Sequence, residues 1–146
     1  LKIEILSYDC TERLGNRLWV LSQPFIFSVD DEVFTVPRGF VIDGASVPRL
    51  LYPICSPVAG PFGQAAIAHD FLYSIEGPDI GRFKADHVLY TIGRLRGAWL
   101  AEAQAVKTGV NLFGWLSYKT GRNKINKKSC YDWVQAQLRV AQLTLA

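Results

Sequence analysis

His69 and Asp70 stand side by side in AAIAHDFLY, residues 65–73, a stretch whose other members are small or apolar. His69 is one of two histidines in the chain. An imidazole beside a carboxylate can activate water, help hold a cation, or simply satisfy a polar pair inside a core. On a helix, His69 and Tyr73 share a face one turn apart, while Asp70 projects about 100° away. The adjacent pair therefore serves two neighbouring sides of one rigid element. A third group comes from RFKADHVLYTIGRLR, where apolar residues recur at a helical period and Asp86 lies on the margin of their stripe. A carboxylate there is costly unless a donor meets it. If the two helices form an antiparallel hairpin turning at Gly77 to Gly81, their spacing brings Asp86 across from His69. An imidazole whose second nitrogen is held by a buried aspartate keeps one tautomer and one orientation, which is how a general base is poised. Two plainer readings stay open: a satisfied polar core pair, or a solvated face containing Lys84, Asp86 and His87. His87 reads as a surface residue rather than a ligand.

Other chemistries fit less well. A phosphohydrolase of the HD type needs a further histidine upstream, and none precedes His69. The G-x-S-x-G elbow of serine hydrolases is absent, and Ser46 in GASVP reads as a turn hydroxyl. Cys55 in ICSPV has no helix N-terminus to lower its thiol pKa for a pairing with His69. Asp43 in IDGAS suits either an Asx turn or a further polar group beside His69. Cys10, Cys55 and Cys130 are scattered, without the paired spacing of a zinc site.

The elements that would position these residues fall into two textures. KIEILSY, RLWVLSQ, PFIFSV and EVFTV are short β-type runs, with VDDEVF as a hairpin turn. VPRGFVIDGASVPRLLYP reads as turns and a crossover. Helical patterns follow: 64–76, stopped by Gly77-Pro78, then 82–96, then AWLAEAQAVKTGVNLFGWLSY, and finally the amphipathic CYDWVQAQLRVAQLTLA. The expectation is one α+β domain over 1–146, β-rich in 1–48 and helical in 49–146. A small N-terminal antiparallel region would precede about four helices, the HD motif lying on a helical hairpin.

With 146 residues, 49% hydrophobic, 20% charged and a net charge of +3, the chain is ordinary globular protein and only mildly basic. Lys119, Arg122, Lys124, Lys127 and Lys128 form a basic loop able to touch phosphates or lipid headgroups. Nothing interleaved with them supports sequence-specific nucleic-acid reading. No apolar run is long enough for a transmembrane segment, and the opening LKIEILSYDC lacks a signal-peptide layout.

The series VPRGFVIDGASVPR, AAIAHDFLY, RFKAD and AVKTGVNLFG, in that order, resembles the uncharacterised-domain family numbered 1353, common in tailed phages and prophages. Its pattern is approximately VPxGFxTDGASVP, HDxLY, RxxAD and AVxxxG, and the likeness runs from about residue 33 to 114. Ile42 stands where that family usually has Thr. The resemblance implies a phage virion protein, at the tail tip or baseplate, made in the host cytoplasm and contacting other tail proteins.

The site alone is also similar to that of phospholipase A2. There an HD pair supplies a general-base histidine and a calcium-binding aspartate, while an aspartate on the antiparallel helix orients the histidine. On that likeness His69 and Asp86 are catalytic, Asp70 holds Ca²⁺ with main-chain help from AGPFG, and Tyr73 matches the aromatic after the pair. The implied activity is hydrolysis of envelope lipid esters or, second, of peptidoglycan. The alternative is a non-enzymatic tail adaptor in which His69, Asp70 and Asp86 form a buried polar network.

Overall fold

The computed structural model describes residues 1–7, 11–15, 18–42, 60–74, 77–116, 118, 139 and 142–143. Among the described residues six strands come first: β1 (Ile3–Ile5), β2 (Thr11–Gly15), β3 (Leu18–Leu21), β4 (Phe25–Val29), β5 (Glu32–Val36) and β6 (Val41–Ile42). They form two three-stranded sheets, ordered β1-β4-β5 and β2-β3-β6, with every pairing antiparallel. Val29 pairs with Glu32, so β4 and β5 are joined by Asp30 and Asp31 alone. Both residues hold positive φ, 51° and 67°, as the two-residue turn that matches strand twist requires, and aspartate tolerates it. The hairpin expected from VDDEVF is therefore present. The pairing of β3 with β6 was not legible, because Val41–Ile42 sits inside a run that reads as turns.

Among the described residues there are three α-helices: α1 (Gly63–Tyr73), α2 (Arg82–Leu95) and α3 (Leu100–Phe113). A short 3-10 turn, Gly60–Phe62, leads into α1, and another, Gly114–Leu116, follows α3. Nearly all of the fourth expected helix, 130–146, lies outside the described residues, as do the three cysteines and the basic loop. The α1–α2 hairpin forms as expected. Phe62, before α1, meets Gly93 late in α2, whereas Tyr73 at the end of α1 meets Asp86 early in α2. Arg82 reaches Asn111 and His87 reaches Lys107, so α3 runs antiparallel to α2 in turn.

Every residue of α1 is buried. A helix without a polar face belongs in a protein interior, and the small residues of QAAIA let its neighbours approach closely. One continuous core joins Phe25, Phe27, Val36 and Phe40 on the strand side to Ile67, Leu72, Leu89 and Ile92 on the helices. The outcome is the α+β arrangement, with the HD helix at its centre. None of the described helices is long and apolar enough to cross a membrane.

Candidate functional site

The turn between α1 and α2 fixes how the two helices face each other. Ser74 Oγ donates to the Phe71 carbonyl at 2.8 Å and accepts from the Gly77 N–H at 3.1 Å. A Cβ on Gly77 would lie 2.0 Å from the Phe71 carbonyl oxygen, so only glycine permits this closure. Asp79 Oδ1 accepts from the Gly81 N–H at 3.1 Å, just before α2 begins.

That turn places Asp86 opposite His69 and Tyr73. His69 Nε2 lies 2.9 Å from Asp86 Oδ1, and the Tyr73 hydroxyl donates to the same oxygen at 2.5 Å. The His69 and Tyr73 rings, one helical turn apart, have centroids 4.0 Å apart. His69 and Asp86 are both 0% exposed, so Asp86 is no part of a solvated face. Its other oxygen, Oδ2, lies 3.6 Å from an Arg82 guanidinium nitrogen, which itself donates to the Asn111 carbonyl at 2.7 Å. A carboxylate taken wholly out of water thus meets two hydrogen-bond donors and one cation. Burial pushes the Tyr73 phenol well above its usual range, and the Asp86 charge pushes it further, with Arg82 opposing. Tyr73 is therefore a protonated donor.

His69 and Asp70 do not hydrogen-bond: Nδ1 and Oδ1 are 4.0 Å apart, as the helical geometry of adjacent residues implies. Among the described residues nothing hydrogen-bonds His69 Nδ1, which is buried. Asp70 is buried too, at 8% exposure, on the side of the imidazole away from Asp86. The structure therefore brings His69, Asp86, Tyr73 and, more loosely, Asp70 together. Asp43 lies outside the described residues. His87 is half-buried, with Nδ1 3.1 Å from the Lys107 ammonium and its ring stacked on Tyr90, so it turns to other partners than this network.

Two contributors escaped the sequence reading. Arg82 is four residues before Asp86, a spacing that puts both on one helical face and was open to inspection. Gly114 has an ordinary helical φ of −63°, so backbone conformation does not demand glycine there. A Cβ at that position would lie 2.2 Å from the Tyr73 hydroxyl oxygen. Gly114 leaves room for the phenol to reach Asp86, which only three-dimensional packing reveals.

The model of the family described as Protein of unknown function (DUF1353) matches residues 19–110, more than half of the chain. No curated protein and no solved structure matches the chain.

Proposed function

The chain belongs to the DUF1353 family, and from that membership and the buried site we propose a tailed-phage virion protein, near the tail tip or baseplate, with a hydrolase centre on α1 and α2. The catalytic half rests on one observation, the environment of the His69 ring. Asp86 as a carboxylate can only accept, so a neutral imidazole bonded to it through Nε2 carries its proton there and its lone pair on Nδ1. No hydrogen bond among the described residues occupies that lone pair. In the proposed reaction, water bound at Nδ1 gives up a proton to it while the water oxygen attacks an ester carbonyl carbon. The imidazolium keeps its Nε2–H on Asp86 and returns the new proton to the departing alkoxide as the tetrahedral intermediate collapses. Tyr73 and Arg82 hold the carboxylate in register throughout. Envelope lipid esters are the first substrate class, peptidoglycan bonds the second.

Ca²⁺ at Asp70 extends the proposal, and the residues fit it only partly. Calcium takes about six to eight oxygen ligands. Among the described residues no group of three or more His, Cys, Asp or Glu is arranged to hold a metal ion, so Asp70 would be joined chiefly by main-chain carbonyls and water. When bound, the ion would supply positive charge for a developing oxyanion.

The non-enzymatic adaptor reading has its own supporting observation, since the complete burial of His69 and Asp86 suits a purely structural network. Assay against fluorogenic acyl esters and phospholipid micelles separates the two. The hydrolase reading expects turnover that falls by roughly a hundredfold or more in His69→Ala and Asp86→Asn, while Tyr73→Phe keeps most of it. An inactive parent protein, together with phage infectivity that survives His69→Ala, would leave the adaptor. Mass spectrometry of purified virions tests the particle assignment, and absence of the chain from them would refute it.

A further inference from the structure

The connection between α2 and α3 reads RLRGAWL, residues 94–100, and it is exposed where a helical turn would ordinarily be polar. Leu95 is 59% exposed, Trp99 78% and Leu100 55%. Arg94 and Arg96 are exposed beside them, and no carboxylate occurs between residues 94 and 101. Across a cleft of about 310 Å³ from Arg96 lies Leu6, itself 51% exposed.

This tip is held rigid. Gly97 takes a φ of 100°, its N–H donates to the Arg94 carbonyl, and the Ala98 N–H donates to the Gly93 carbonyl at 2.9 Å. That is the glycine-terminated helix end in which a left-handed residue closes the last turn. Ala98, 1% exposed, pins the connection to the core. Glu102 reaches back to the Trp99 N–H at 3.1 Å and starts α3. The Trp99 indole takes no part in that hydrogen bond, so the fold does not need the ring where it stands.

We propose that the α2–α3 tip docks on an anionic lipid surface, inserting Leu95, Trp99 and Leu100 at the headgroup boundary while Arg94 and Arg96 meet lipid phosphates. Charge decides for lipid: two arginines and no carboxylate complement an anionic membrane, and their long stems let the guanidinium heads reach headgroups as the apolar residues sink. Tryptophan suits that boundary because its ring is apolar and its N–H polar. Size argues against a protein partner on this tip alone. Stable protein interfaces use about 20–30 residues a side, whereas a bilayer demands no matching shape. Among the described residues no carboxylate pairs with Arg96, which leaves its charge available.

The full chain should co-sediment with vesicles of equimolar phosphatidylethanolamine and phosphatidylglycerol at low salt, and far less with pure phosphatidylcholine. Arg96→Gln should weaken partitioning about fivefold, and Trp99→Ala roughly tenfold or more. Both side chains are exposed, and a circular dichroism melt confirms that the variants stay folded. His69→Ala should bind as the parent does, so loss of ester hydrolysis and loss of docking are read separately. No binding to either vesicle, equal binding to both, or binding indifferent to both substitutions would overturn the proposal. So would sedimentation velocity showing self-association that Trp99→Ala disperses, since the tip would then face a second copy.

Discussion

Deleting Asp86 leaves two donors facing nothing, and that stranding can be measured. Asp86→Ala strips the acceptor from His69 Nε2 and the Tyr73 hydroxyl, both aimed at Oδ1 in a fully buried setting. Each stranded donor costs about 1–3 kcal/mol, less for Tyr73 because a hydroxyl can turn. Arg82 loses its buried counter-charge but keeps the Asn111 carbonyl. Taken together, Asp86→Ala should destabilise by about 3–5 kcal/mol. His69→Ala removes one charge-assisted hydrogen bond and buried ring packing, about 2–4 kcal/mol, while Asp86 retains Tyr73 and Arg82. In the double mutant the imidazole is gone, so its stranded N–H no longer counts. The double should therefore fall short of the summed single losses by about 1–3 kcal/mol. Urea titrations of the four proteins, with unchanged slopes, give the coupling directly. Losses that add to within about 0.5 kcal/mol would refute the pairing, because independent sites add that closely.

Gly114→Ala should cost about 1–3 kcal/mol by driving a methyl into the Tyr73 hydroxyl. Most of that penalty should vanish in a Tyr73→Phe background, and thermal melts compare the two. Asp70→Asn should abolish any rise in melting temperature produced by Ca²⁺. A parent protein that Ca²⁺ does not stabilise removes the cation from the reading. Burial first, and the Lys107 ammonium second, hold His87 below its usual value of 6.5. The folded state thus resists protonating His87, so its stabilising contribution is present above that value and is lost as pH falls through the lower folded one. Lys107→Met should move the His87 titration seen by NMR back upward. Burial, and then the hydrogen bond to Asp79, push the Tyr118 phenol up to about 12 from its ordinary 10.0. Its contribution is complete below the ordinary value and is lost as pH climbs through the folded one. Tyr118→Phe should flatten that alkaline decline.

The hairpin and its His69–Asp86 contact were legible because helical periodicity and a glycine-marked turn fix both the faces and the spacing. Tyr73 was legible as a neighbour of His69 from the i,i+4 rule, but its bond to Asp86 depends on how deeply α2 packs. Gly93 shows what sets that depth: a Cβ there would sit 2.4 Å from the Phe62 ring, so the close approach is a matter of volume rather than pattern. The total burial of α1 was hinted at by AAIA, yet periodicity alone gives no account of how many sides of a helix are covered. The β3–β6 pairing was hidden for a different reason. A two-residue strand carries no alternation to read, and the glycines and prolines around Val41 speak only of turns.

Three separate stretches of sequence converge on one carboxylate, and that convergence explains residues that are individually unremarkable. AAIAHDFLY contributes the two donors to Oδ1, RFKAD contributes the acid and the guanidinium beside Oδ2, and the end of AVKTGVNLFG contributes the missing methyl that lets the phenol in. Arg82 also ties α2 to the last turn of α3 through the Asn111 carbonyl. A shift of α3 therefore moves the cation next to Asp86 and the space beside Tyr73 together. The Asp86 carboxylate is consequently where the packing of α1, α2 and α3 is registered. Crowding at Gly114, just past the end of α3, should therefore be felt at His69 through Tyr73 and Asp86, without any contact between Gly114 and His69.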